Sequence, residues 1–239
     1  MARKILLIGN SHIGSLKAGF DMLEKKTLNG FDFSFCAVPR NNFYNHNLQD
    51  NILDFDKSVK QYRHNLSDKI NLEQYDNYVC VFNVSPLSRL MHKRYSFYSE
   101  ALLRDYIKNF YWLKKEKHDS HELILSVYNL NPQKFIFIGA PLICESKSNN
   151  KIWLDEYYYY NQVEIIRKVC QEYFNCLNGP KILLPPKHLL NNTGYLTNKI
   201  YLNGGLNADG KLKDDSKNKN HMNASYGKEI LIELLSKFK

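Results

Sequence analysis

Apolar and polar positions fall into two kinds of run along this chain, and their order predicts an alternation of strands and helices. Ile5-Leu6-Leu7-Ile8 is an unbroken apolar run, as in a strand buried on both faces. Directly after it, Ile13, Leu16, Phe20 and Leu23 recur at helical spacing. Phe31 to Val38 follow the turn signal Asn29-Gly30 and alternate, with Phe33, Phe35 and Ala37 on one face of a second strand. Tyr78 to Phe82, Lys134 to Gly139 and Lys181 to Leu184 read as further apolar strands, the last stopped by Pro185-Pro186. Between them lie helical stripes. One is Leu102, Leu103, Tyr106, Ile107, Phe110 and Tyr111, in a mainly helical stretch from Arg89 to Leu130 that a polar break near Lys114 to Ser120 interrupts. Another runs through Val163, Ile166, Val169, Cys170 and Phe174, and a last amphipathic run covers Lys228 to Lys239. Residues 43–75 show no long period and are expected to form short helices and loops covering one side. From Lys187 to Asn220 the chain is loop-rich, and so long a loop in a compact domain is more often functional than idle.

Strands alternating with helices predict an α/β sheet protein, and no shift of composition separates a second domain within residues 1–239. In an open α/β sheet, ligands bind in the crevice at the carboxyl ends of the strands. The turn Gly9-Asn10-Ser11 ends the first strand and opens the first helix, so Ser11 is placed at that crevice, beside the unpaired amides of a helix start. A serine in such a place is most simply a helix cap. It becomes a candidate nucleophile when a base can reach it. His221 lies just ahead of the C-terminal amphipathic run, on a loop able to cross the top of the sheet.

Taken together, Gly9-Asn10-Ser11-His12 and His221-x-Asn223-Ala224-x-Tyr226-Gly227 resemble the SGNH (GDSL-like) hydrolase superfamily. More narrowly, they resemble bacterial SGNH-type proteins associated with surface polysaccharide synthesis. The resemblance implies a three-layer α/β/α sandwich with a mainly parallel five-stranded sheet, SGNH/flavodoxin-like. It implies a serine esterase or O-acyltransferase working on O-acetyl groups of a carbohydrate, with Ser11 as nucleophile and His221 as base. The oxyanion would be held by the Ser11 amide, by an amide at Arg40 or Asn41, where the superfamily commonly has glycine, and by the side chain of Asn83, which lacks the family's preceding glycine. Asn10, His12, Asn41 and Tyr157 are the residues expected beside the substrate, with His12 either structural or in contact with the site.

At the position of the family's orienting aspartate stands Asn218. An amide can hydrogen-bond an imidazole without stabilising its charged form. Asp215 or Asp214 could take its place, a backbone carbonyl could hold His221 in a dyad, weak activity could suffice, or catalysis could be lost. The last case leaves a carbohydrate-binding or scaffold protein. Tyr157 belongs to the aromatic run Trp153 to Tyr160, which can stack on sugar rings or pack inward as the start of a helix.

Charge and cysteine content add less. The formal net charge of +9 favours anionic partners, yet the charges are scattered as on a solvated lysine-rich surface, and nucleic-acid binding would rest on net charge alone. Five cysteines, odd in number and without a Cys-x-x-Cys pair, read as reduced core residues, and no metal-ligand spacing is evident. The first apolar run is too short for a signal-peptide core, and no stretch is long enough to span a membrane, so a cytoplasmic location is expected. No cofactor is required by such chemistry. Acetyl-coenzyme A enters as donor only if the enzyme is a transferase.

Overall fold

A computed structural model describes residues 1–38, 46–56, 61–82, 101, 120–139, 181–192, 197–214 and 221–238. In chain order the elements are β1 (Arg3–Gly9), α1 (Ile13–Asp21), α2 (Lys25–Leu28), β2 (Phe31–Ala37), β3 (His46–Gln49), β4 (Ile52–Phe55), β5 (Tyr62–His64), β6 (Ile70–Asn71), β7 (Asn77–Phe82), α3 (Ser120–Leu130), β8 (Phe135–Gly139), β9 (Lys181–Leu183) and α4 (Ala224–Ser236). The main sheet runs β5-β2-β1-β7-β8-β9. Its five parallel strands are those expected from the apolar runs, and they stand in the 2-1-3-4-5 order of flavodoxin-like folds. β5 adds a short antiparallel edge beside β2.

Helices lie on both faces because β1 is apolar and buried at every position from Ile5 to Ile8. Ile5 and Leu7 pack with Ile13 and Leu16 of α1 and with Ile230, Leu231 and Leu234 of α4. Leu6 and Ile8 face the other way, toward Leu123 and Val127 of α3 and toward Leu53 and Phe55 of β4. Burying one such side chain is worth about 1.5–3 kcal/mol, so a strand covered on both faces is the natural centre of the sheet.

In the segment expected to be short helices and loops, the described residues include one short helical turn, Leu72–Gln74, but also four short strands that were not expected. β3, β4 and β6 form a second, three-stranded antiparallel sheet over the α3 face. Its hairpin turns at Asp50 and Asn51, both at positive φ (52° and 62°), between the paired Gln49 and Ile52. Asp and Asn are residues that tolerate the left-handed conformation a two-residue hairpin demands. Leu53 and Phe55 alternate inward from that turn. The last helix also begins earlier than its amphipathic run, at Ala224, because the Asn223 side chain caps it by accepting from the Tyr226 amide at 3.1 Å.

Two helices from opposite ends of the chain are brought together by glycine. A Cβ on Gly227 of α4 would lie 1.9 Å from the Ser15 carbonyl oxygen of α1, and a Cβ on Gly19 would lie 2.2 Å from the Lys228 nitrogen. Only bare backbone permits that approach. It fixes the residues just ahead of each helix, Ser11 and His221, against one another.

Candidate active site

The turn that carries Ser11 is held by its neighbours on three sides. Gly9 lies where a Cβ would meet the Val81 carbonyl oxygen at 2.0 Å. That closeness lets the Asn10 amide donate to Val81 O at 3.1 Å, while the Val38 amide donates to Gly9 O at 2.8 Å. The Asn10 side chain is buried and accepts from the His12 amide at 3.0 Å, an Asx turn that closes the strand and opens the helix. Asn10 therefore shapes the turn from beneath. Ser11 itself is half-buried, and among the described residues no acceptor takes its backbone N–H. An amide so placed, at the start of α1, is a donor that an oxyanion can use.

His221 meets Ser11 from the other end of the chain. Its Nε2 is 3.4 Å from Ser11 Oγ, at the long end of hydrogen-bonding reach, and its Nδ1 is 3.1 Å from the Leu206 carbonyl oxygen. A carbonyl can only accept, so Nδ1 carries the proton and Nε2 presents its lone pair to the serine hydroxyl. Burial holds the His221 pKa below its ordinary value, the Leu206 hydrogen bond works against that, and the Lys213 charge lowers it further. The imidazole is thus neutral at pH 7, the form a general base needs. His12 is buried beside it, with ring centroids 5.2 Å apart and planes inclined at 46°.

The Leu206 carbonyl is aimed by a small hairpin. Leu206 faces Leu212, and around that pair the Asn207 amide donates to Lys211 O (2.9 Å) and the Lys213 amide to Gly205 O (2.8 Å). In such a pair the central residues turn their own N–H and C=O outward. Leu206 accordingly donates to Met222 O at 3.1 Å and accepts from His221 Nδ1, gripping the histidine segment with both backbone groups. The hairpin rests on α1 at Gly14, where a Cβ would be 1.8 Å from Asn207 O. Asn223, beyond its capping role, donates from Nδ2 to Ile200 O and Asn203 O, both at 3.0 Å, and ties the start of α4 to the preceding loop.

Of the residues singled out from the sequence, the structure brings together Asn10, Ser11, His12 and His221. Arg40, Asn41, Asn83, Tyr157, Asp215 and Asn218 lie outside the described residues. Asp214 is described and exposed. Sequence reading did not single out Leu206 or Lys213, nor give Gly14 its packing role. A backbone carbonyl leaves no trace in residue type, whereas the turn residues Asn207, Asp209 and Gly210 were a legible hairpin signal. Among the described residues, no group of three or more His, Cys, Asp or Glu side chains is placed to hold a metal ion, and no helix is long and apolar enough to cross a membrane.

Fold and site together define an α/β protein with a serine–histidine pair at the carboxyl end of its central strand. No protein-family model matches the chain, and no curated protein sequence matches it. Among solved structures, it is similar to a lipase/acylhydrolase from Enterococcus faecalis, with 13% identity and a TM-score of 0.34 over 83% of this chain and 88% of that one. At that distance the likeness says nothing of activity or substrate.

Proposed function

We propose that this protein is a serine-dependent acyl-transfer enzyme, an esterase or O-acyltransferase, in which Ser11 is the nucleophile and His221 the base. The observation that carries the reading is the Ser11 Oγ to His221 Nε2 contact, with Nδ1 anchored on the Leu206 carbonyl. As the pair tightens, Nε2 takes the hydroxyl proton and Oγ bonds to the acyl carbon. The Ser11 amide helps hold the resulting oxyanion, and losing one such donor typically costs on the order of 10²–10³ in rate. The imidazolium then returns its proton to the leaving alcohol oxygen as the carbon–oxygen bond breaks. Water, or a sugar hydroxyl in a transferase, resolves the acyl-enzyme by the same steps in reverse. The proposed substrates are O-acyl groups, acetyl among them, on a carbohydrate. That class rests on the sequence resemblance, a single domain on the even composition, and a cytoplasmic setting on the unpaired pattern of the five cysteines.

A second reading has its own support. The Nδ1 partner described is a neutral carbonyl, which orients the imidazole without adding a charge to stabilise the imidazolium, and the Lys213 charge lowers the His221 pKa. A carbohydrate-binding protein of the same ancestry would keep this geometry without turnover. Hydrolysis of p-nitrophenyl acetate, with fluorophosphonate labelling of Ser11, separates the two. The enzyme reading expects turnover and labelling that Ser11→Ala and His221→Ala abolish. A wild type that neither labels nor turns over would overturn it and leave the binding protein.

A further inference from the structure

An Asn–Gly step is where a polypeptide most readily modifies itself, because glycine has no Cβ to keep its amide nitrogen from the preceding side chain. The step occurs here at Asn29, Asn178 and Asn203, of which Asn178 lies outside the described residues. Asn203 is exposed, and among the described residues its side chain makes no hydrogen bond. The Asn203–Gly204 peptide is the centre of a turn that the Gly205 amide closes on Leu202 O at 3.1 Å. A central peptide takes no part in the bond that closes its turn. Accordingly, no acceptor among the described residues takes the Gly204 N–H. The space around Gly204 is open, since a Cβ there would meet only Leu212 Cδ2, at 3.9 Å. Asp209–Gly210 in the same loop is the contrast. The Gly210 amide donates to Asn207 O at 3.0 Å and Asp209 Oδ1 accepts from the Lys211 amide at 3.1 Å, so both reacting groups are engaged.

Asn203 also differs from Asn29 in what its backbone holds. Asn29 precedes β2, at the end of the sheet away from the site. Asn203 O accepts from Asn223 Nδ2 at 3.0 Å, and Asn223 is the residue that follows His221 and Met222 and caps α4. We propose that Asn203 is a self-modification site, which deamidates spontaneously and in doing so loosens the tether of the His221 segment. Gly204 N bonds to Asn203 Cγ and gives up its proton, and Nδ2 leaves as ammonia, closing a cyclic imide. Water then opens the imide. Attack at Cγ gives aspartate, and attack at the backbone carbonyl gives isoaspartate. In the isoaspartate the main chain runs through Cβ and Cγ and is one atom longer, while the carbonyl that received Asn223 has become a free carboxylate. The added atom falls inside the turn between Leu202 and Gly205, so the grip on Asn223 is no longer set by that turn. The step needs no reactant but water and goes beyond the acyl-transfer reading.

The test ages the full chain in mildly alkaline buffer, below its melting temperature, as wild type, Asn203→Gln and Asn29→Gln. Glutamine would have to close a larger ring, which is slow. Peptide mass spectrometry locates the gain in mass as amide becomes acid, and isoaspartate methyltransferase labelling counts the isoaspartate. Within residues 198–211 the conversion should fall on Asn203, leaving Asn198, Asn207 and Asp209 unchanged. Loss of one backbone tether in a chain of this size should lower the melting temperature of the aged protein by about 2–4 °C. Asn203→Gln should keep its melting temperature, and Asn29→Gln should age as wild type does. An Asn203 peptide that stays unmodified overturns the site. Conversion without a fall in melting temperature, or a fall that Asn203→Gln shares, overturns the coupling to α4. These readouts need no turnover, so they stand even if the acyl-transfer reading fails. In an active protein, p-nitrophenyl acetate hydrolysis should decline as isoaspartate accumulates and hold in Asn203→Gln, and hydrolysis indifferent to it overturns the link to His221.

Discussion

Replacing Gly14 with alanine should disable the site through the hairpin that aims His221. The new Cβ would stand 1.8 Å from the Asn207 carbonyl oxygen, where real Cβ atoms keep at least 3.0 Å. α1 is clamped between the sheet and α4, so the surface hairpin must give way, by ~1.2 Å at Asn207. Leu206 is the adjacent residue, and its carbonyl begins 3.1 Å from His221 Nδ1. A retreat of that size carries the contact past the roughly 3.5 Å at which a hydrogen bond ends. Misplacement by about 1 Å can cost on the order of 10² in rate. The expected result is a hundredfold fall, to order of magnitude, in kcat/KM for p-nitrophenyl acetate. Overpacking of this kind also costs typically 1–3 kcal/mol of stability, which denaturant titration would read. Gly210→Ala is the control: its Cβ would meet nothing within 4 Å, but its φ of +76° makes a side chain strained. It should lower stability by about 1–2 kcal/mol and leave the rate closer to wild type. Should Gly14→Ala fold and keep kcat/KM within a few-fold of wild type, the hairpin does not orient the base, and the argument from Leu206 fails.

Two further outcomes follow from the same geometry. Because burial holds the His221 pKa below 6.5, the acid limb of kcat/KM should lie below pH 6.5, and a limb at or above that value would refute a desolvated base. The stability effect has a definite sign: between the folded pKa and 6.5 the unfolded chain binds the proton more readily, so this group's contribution is intact above pH 6.5 and is lost as pH falls through the folded value. Gly227→Ala would drive a Cβ to 1.9 Å from Ser15 O, and it should lower both the melting temperature and the activity by prising α4 from α1; an unchanged melting temperature would show the helices free to slide.

The sequence by itself determined the sheet and the two ends of the site. Apolar runs such as Ile5 to Ile8 can be buried on both faces only at the centre of a layered α/β fold, so the five parallel strands were legible from local pattern. Gly9-Asn10-Ser11 was legible as a turn because glycine and asparagine are local conformational instructions. Asp50-Asn51 carries an equally local message, but strands of two to four residues leave no long period in residues 43–75 from which the small antiparallel sheet could be read. What only the tertiary structure decided was the meeting of Ser11 with His221, 210 positions apart, and the partner of Nδ1. That partner is a peptide carbonyl, which every residue possesses, and its aim depends on close backbone contacts at Gly14 and between α1 and α4. Residue type can announce that a glycine permits close approach. It cannot say which backbone will approach.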